Sequence, residues 1–273
     1  MSNQNEQYSP GYRPKLINDY KQRHISKEAS FFIPYLHSGM MLLDCGCGPG
    51  SITEGFAGIV QPGLVYGIDI EHEQIAASKK LAQHKQLKNM KFKVANVYNL
   101  PFGNDLFDAV FAHTLLQHLK DPNQALKEMY RVLKPGGIIG VRDDDQGSLI
   151  LSPSNTQLEK LIHLFAQFLQ YKGGNPYIGR QHRQLLRQAG FFDIEASASC
   201  HYHGNSKAVC IYAEVIDDLL QSVIAETAIQ QGWATTKEIK TLVDACQSWG
   251  NNPDAFDAIT FCEAVAWKLK VTD

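Results

Sequence analysis

The sequence predicts an α/β fold in which a mostly parallel, seven-stranded sheet is flanked by helices and carries a helical cap. Two observations predict it. Between residues 38 and 142, short apolar runs alternate with segments of helical spacing, the rhythm of βαβ units with right-handed crossovers. After residue 150 the rhythm changes to helical blocks, broken and then closed by two more strand-like runs.

Taken in order, residues 1–20 are polar with Gly and Pro and read as a flexible arm. Ser26 can cap a helix to about residue 36, with Ala29, Phe32, Ile33 and Leu36 at helical spacing. Residues 40–45 form an apolar run closed by a Gly-rich turn, the pattern of a buried parallel strand, and a helix follows over 51–57. A turn at Pro62-Gly63 leads to a strand over 64–70, a helix over 71–84 and a strand over 90–94. A fourth strand spans 107–112. Asp121-Pro122 starts a helix with an N-cap Asp and a first-turn Pro, ending near 133. Pro135-Gly136-Gly137 turns the chain into a fifth strand, 138–142. Helices over 155–171 and 179–189, a strand over 192–203, helices through 206–250 and a strand over 258–268 complete the series. The expected organisation is an arm (1–25), a ligand-binding core (26–150), and a cap region carrying the last two strands of the same sheet (151–273).

Composition narrows the function. The chain has 273 residues, 44% hydrophobic and 20% charged, which is ordinary for a globular protein with one large core. Its net charge is −2 and Lys and Arg are scattered, so nothing resembles the basic stripe of a nucleic-acid binder. The first 20 residues lack a secretory apolar stretch, and no window approaches the roughly 18 apolar residues of a membrane span. Six cysteines are too dilute for a disulfide framework and fit free thiols. A cytoplasmic protein, monomeric or homodimeric, is expected.

The chemistry concentrates at Asp44-Cys45-Gly46-Cys47-Gly48-Pro49-Gly50, between the first strand and its helix. Glycines let a backbone approach a ligand, and the helix start behind them offers unpaired N–H groups. Asp69 ends the second strand 19 residues after Gly50, where a carboxylate can accept both hydroxyls of a ribose. Together they specify an adenosine-type ligand across the carboxyl ends of the strands. A dinucleotide fingerprint wants Gly-x-Gly-x-x-Gly, whereas here the spacing is Gly46-x-Gly48-x-Gly50 with an acid two residues ahead. A pyrophosphate gains nothing from Asp44; a ligand with an ammonium end and a sulfonium does.

These residues resemble motif I of the class I S-adenosylmethionine (SAM)-dependent methyltransferases, which have a Rossmann-like fold. Asn99-Leu100-Pro101-Phe102 through Phe107-Asp108, Gln117-His118-Leu119 and Arg131-Val132-Leu133-Lys134-Pro135-Gly136-Gly137 are similar to the ubiquinone/menaquinone-biosynthesis-type branch. The resemblance implies SAM as cofactor, S-adenosylhomocysteine as product and a small-molecule methyl acceptor. It implies that Gly46, Gly48 and Gly50 line the methionine part, with Asp44 near its ammonium. Asp69 and Ile70 would hold the ribose and flank the adenine. Asn96, followed by Val97, stands where the family commonly has an Asp for the adenine amino group, and its amide oxygen can accept that bond. His113 falls where members close the pocket near the sulfonium.

Other signals compete for attention. Asn175-Pro176-Tyr177 resembles the Asn-Pro-Pro-Tyr motif of DNA-adenine and protein-glutamine methyltransferases but lies between late helices rather than after the fourth strand. Cys200-His201-Tyr202-His203 puts both histidines on one face of a strand and Cys200 on the other, short of the four convergent ligands of a structural zinc site, so no metal is expected. Cys45 and Cys47 suit packing better than arsenite chemistry. For a base, His113, His118, Asp143, His201 and Tyr12 are candidates; Asp143 is favoured among Asp143, Asp144 and Asp145 because it directly follows Arg142 and the strand. His113 and Asp143 are the expected catalytic residues. A SAM-binding protein without catalysis and a nicotinamide oxidoreductase remain the alternatives.

Overall fold

The computed structural model describes residues 13–270. Pro14–Gln22 forms α1, with Pro14 at its first turn, and Ile25–Glu28 forms the short α2. The chain then alternates β1 (Leu42–Cys45), α3 (Ser51–Val60), β2 (Val65–Asp69), α4 (His72–His84), β3 (Met90–Val94) and β4 (Phe107–His113). Helix α5 (Pro122–Val132) starts where Asp121 accepts the Gln124 N–H, and leads into the long β5 (Leu133–Ser152). After β5 come α6 (Thr156–Tyr171), α7 (His182–Gln188), β6 (Phe192–His203), α8 (Ser206–Leu219), α9 (Ala225–Gln230) and α10 (Thr236–Gly250), with α6 and α8 to α10 forming the cap. Strand β7 (Phe256–Trp267) returns to the sheet.

The seven strands lie in the order β3-β2-β1-β4-β5-β7-β6, and β7 alone runs antiparallel to its neighbours. The chain moves outward from β1 to β2 and β3, then returns to place β4 on the other side of β1. That reversal opens a crevice at the carboxyl ends of β1 and β4, where ligands of open α/β sheets bind. Both faces are covered. Leu43, Val110, Ile139 and Val141 pack with α5 and α7; Leu42, Val65, Ala109 and Phe111 pack on the other side against Phe32 and Phe56. Adjacent Leu42 and Leu43 feed opposite layers, as strand alternation requires. The cap has its own core, which includes Leu161, Phe168, Val209, Leu242 and Trp249. It is pinned to the sheet by the Trp249 indole N–H, which donates to the Ser152 carbonyl over 3.0 Å.

Three expectations are corrected. Residues 14–22, read as part of a flexible arm, are helical and tied down: Lys15 pairs with Glu214 at 3.1 Å, and Ser51 Oγ donates to the Tyr20 carbonyl at 2.7 Å. Tyr12, a candidate base, lies outside the described residues. The single helix expected over 26–36 is one short turn capped by His24, after which Phe32 turns into the core. The fifth strand does not stop at Arg142; it continues to Ser152 by pairing with β7, with a bulge between Asp145 and Ile150.

Candidate active site

Two cavities adjoin at the carboxyl ends of the parallel strands. The smaller, about 140 Å³, is lined by the turn after β1, the end of β2, the Ala95-Asn96-Val97 turn after β3 and the segment after β4. Asp44, Gly46, Gly48, Asp69, Ile70, Asn96, Val97 and His113, all expected at a site, are brought together on its wall. Gly48 has a φ of +52°, and a Cβ there would meet nothing, so its backbone faces open space. Gly50 is not on the wall. It caps α3 with a φ of +86°, and a Cβ would lie 2.9 Å from the Ser78 Cβ and 3.3 Å from the Phe92 ring. Its smallness serves the packing of α3 on α4 and β3.

The carboxylates of this cavity are built into the loop. Asp69 Oδ2 accepts the Gly48 N–H and Oδ1 the Glu71 N–H, both at 2.9 Å, so one side chain holds the glycine turn and the start of α4. Asp44 is 3% exposed and accepts the Thr53 hydroxyl at 2.6 Å. Burial pushes its carboxyl up to about 7; the Thr53 bond opposes that rise and the Asp69 charge adds to it. Among the described residues no basic side chain bonds either acid. These two acceptor carboxylates suit a ligand with an ammonium and a sulfonium.

The larger cavity, about 490 Å³, lies between the sheet and the cap. Its cap side is apolar, with Leu161, Ile162, Phe165, Phe168, Val215 and Ile216; its sheet side carries Glu28, Asp144, His201, His203 and Asp257. Tyr20, Arg23, His113, Thr114 and His118 line both cavities and so form a common wall. A 490 Å³ space matches a drug-sized molecule.

His113 is not placed to act as a base. It is buried, its Nε2 lies 2.7 Å from Arg142 Nη1 and 3.2 Å from Glu28, and its Nδ1 lies 3.4 Å from Arg23 Nη1 and 3.3 Å from the Thr114 hydroxyl. Burial, with Arg23 and Arg142 alongside, lowers it to about 3 against the pull of Glu28, so the ring is neutral and fully engaged. His118 is likewise lowered by burial, to about 4, with Arg23 contributing. Beneath the wall, Arg142 is 1% exposed, bonded through Nη1 to Glu28 at 2.6 Å and through Nε to Glu263 at 3.1 Å, and stacked on Phe261 at 3.9 Å.

Asp143 faces away from both cavities. Because β5 continues, its side chains alternate: Arg142 and Asp144 face the cap, Asp143 and Asp145 the opposite layer. Asp143 is fully buried, accepting the Gln117 N–H at 3.2 Å and pairing with His182 Nε2 at 3.0 Å; Asp145 pairs with Arg180. Asp144 is the acid that lines the larger cavity, and burial, then the Asp143 charge, raises it to about 6. Substituting the two neighbours separates them: Asp143→Asn is expected to lower the melting temperature by several degrees through loss of the His182 pair, whereas Asp144→Asn leaves it nearly unchanged. Thermal unfolding of both variants checks this.

Sequence reasoning named neither Arg23 nor Thr114 as wall residues. Only a folded N-terminal segment brings Tyr20 and Arg23 there. All six cysteines are free, with Cys45, Cys47 and Cys246 buried. Cys47 lines the smaller cavity, and burial holds its thiol well above the usual range. His201 and His203 share a face with ring centroids 5.1 Å apart, and among the described residues no group of three or more His, Cys, Asp or Glu can hold a metal ion.

The methyltransferase domain family matches residues 43–141, the stretch from β1 to β5. An uncharacterised methyltransferase of Schizosaccharomyces pombe is 32% identical over 200 residues, covering 70% of this chain and 72% of that protein. A demethylmenaquinone methyltransferase of Geobacillus sp. is 29% identical over 182 residues, 60% of this chain and 75% of that protein. Among solved structures, phosphoethanolamine N-methyltransferase 2 of Haemonchus contortus, in complex with phosphomonomethylethanolamine and S-adenosylhomocysteine, shares the fold with a TM-score of 0.58 at 18% identity. That match covers 98% of this chain and 59% of the other. The chain belongs to the class I SAM-dependent methyltransferases, in their ubiquinone/menaquinone-biosynthesis-type branch. As a member of that family it uses SAM as cofactor and carries out methyl transfer. No helix among the described residues is long and apolar enough to cross a membrane.

Proposed function

We propose that the smaller cavity holds SAM and the larger holds a small, largely apolar acceptor whose nucleophilic atom meets the methyl group where the two cavities adjoin. The observation that carries this reading is that junction: five residues line both cavities, so the two spaces share one boundary along which donor and acceptor can be brought into contact. SAM supplies a methyl group already activated on a sulfonium, which leaves the protein mainly to align and exclude water. Asp44 holds the methionine ammonium, Gly46 and Gly48 lie along the methionine chain, Asp69 takes the ribose hydroxyls, and Asn96, Val97 and Ile70 surround the adenine. Asp144, not Asp143, is the acid available to the acceptor. The even charge distribution supports a small molecule over a nucleic acid, and six free thiols support a cytoplasmic setting.

Filling the acceptor space tests the reading. Ile162 lines the larger cavity only, so Ile162→Trp is expected to leave SAM affinity within about twofold while abolishing S-adenosylhomocysteine formation with any acceptor found by screening. Undiminished turnover in that variant would place the acceptor elsewhere.

Asp44 gives the cofactor half of the reading a pH signature. Its carboxyl, raised to about 7 in the free protein, must ionise to pair with an ammonium. Binding below pH 7 therefore releases a proton, and SAM affinity falls by up to about tenfold for each pH unit below 7. The sign for stability is opposite. In the free protein the raised group favours folding most below its unfolded value of about 4, and loses that contribution as pH rises through 7. Calorimetric titrations in buffers of different ionisation enthalpy count the proton, and the Asp44→Asn variant should lose the effect.

A further inference from the structure

The sheet side of the larger cavity contains a pair that the cofactor reading does not use. At the end of β6, His203 lines the cavity and directs Nδ1 onto the carboxylate of Asp257, at the start of β7, at 2.8 and 3.0 Å to its two oxygens. Asp257 is 1% exposed and the His203 side chain about 20% exposed. The imidazole is clamped from the cap by the Tyr212 ring, which stacks on it at 4.5 Å and 21°. Position, tilt and tautomer are thereby set together. In a neutral ring Asp257 accepts the Nδ1 proton's hydrogen bond, so the lone pair resides on Nε2. The neighbouring His201 is differently committed, with its Nε2 3.5 Å from Lys27 Nζ.

We propose that His203, oriented by Asp257, is a recognition site in the acceptor cavity for an O–H or N–H group on an otherwise apolar molecule. This rests on the reading of the larger cavity as the acceptor site. The apolar cap wall excludes water from the bound molecule, and a lone pair buried there by a ligand lacking a donor goes unpaired. The cavity therefore discriminates by penalty: an acceptor of the right shape without the donor loses more than one hydrogen bond's net worth.

The test uses full-length protein labelled with 15N-histidine, saturated with S-adenosylhomocysteine at pH 8.5, and three probes of one shape: 4-butylphenol, 4-butylaniline and butylbenzene. The phenol, the aniline or both are expected to bind about tenfold more tightly than butylbenzene, as one neutral hydrogen bond against a desolvated lone pair gives. Comparison of the two donors tells O–H from N–H recognition. The His203 Nε2 resonance should be that of an unprotonated nitrogen and should move on binding of a donor probe only. His203→Phe should remove the preference, and His203→Gln, which keeps an acceptor oxygen, should restore part of it. Asp257→Asn, which no longer fixes the tautomer, should reduce the preference without abolishing butylbenzene binding. A protonated Nε2, equal affinity for all three probes, or a preference that survives His203→Phe and Asp257→Asn overturns the proposal. Failure of all three probes to bind while S-adenosylhomocysteine binds normally overturns the acceptor-cavity reading as well, and so separates the two.

Discussion

Arg142→Met should be among the most destabilising single changes in this protein, lowering the folding free energy by about 3–5 kcal/mol. Its guanidinium bonds Glu28 at 2.6 Å and Glu263 at 3.1 Å, and these carboxylates are only 4% exposed. Removing the cation leaves two buried carboxylates without the guanidinium that bonds both of them, and it also frees the Phe261 face on which the guanidinium lies. For a chain of this size the loss amounts to a fall in melting temperature of roughly 10 °C. The pH dependence identifies the cause. Burial alone raises Glu28; the hydrogen bond to His113, with Arg142 and Arg23 nearby, brings it down to about 2. Without Arg142 its carboxyl rises, so the variant regains stability as pH falls and loses it as pH climbs through the raised value. Adding Glu28→Gln and Glu263→Gln should recover much of the deficit at neutral pH. Thermal unfolding from pH 5 to 8 checks the series, and a pH-independent deficit would show that packing, not charge, is responsible.

Asp69→Ala should have its effect on the cofactor instead. Two charge-assisted hydrogen bonds to a ribose contribute roughly 1.5–3 kcal/mol each, so SAM affinity is expected to fall by at least about a hundredfold. The same side chain also accepts the Gly48 N–H, and its loss releases the glycine turn, which the proposed reading puts along the methionine chain. Burial raises the Asp69 carboxyl despite its backbone bonds to Glu71, Gly48 and Ile70, which marks its charge as costly in the free protein. The unliganded melting temperature should therefore change little. Unchanged calorimetric affinity in this variant would put the ribose elsewhere.

The parts of this architecture that were legible in the sequence are those where local pattern and tertiary role agree. The turn from Asp44 to Gly50 is flanked by an apolar strand and a helix, and the structure assembles Asp44, Gly46, Gly48, Asp69 and Asn96 around one cavity. Asp121 capping α5 and the alternation of β1 through β4 were readable for the same reason. What failed depended on contacts distant in sequence. Residues 143–145 look like a solvated acidic loop because only pairing with β7, more than a hundred residues later, makes them a strand. Once they are a strand, parity alone exchanges the roles of Asp143 and Asp144. The Arg142–Glu28–Glu263 cluster left one faint signal: Arg142 and Glu263 each interrupt or end an apolar strand run, where an unpaired charge is too costly to bury. Nothing in the sequence says which charges meet. His113 lines both cavities, but its engagement on both nitrogens follows from Glu28, Arg23 and Arg142, none adjacent in sequence.

Helix α1 and its C-cap contribute Tyr20 and Arg23 to the wall between the cavities, and α1 is held both to the cap, by Lys15 and Glu214, and to the glycine-loop helix, by Ser51. A single short element thus belongs to two binding equilibria at once. On the proposed reading a ligand in either cavity rests against residues 13–23, so any shift of this element produced by binding in one cavity alters affinity in the other, and reciprocity makes the effect equal in both directions.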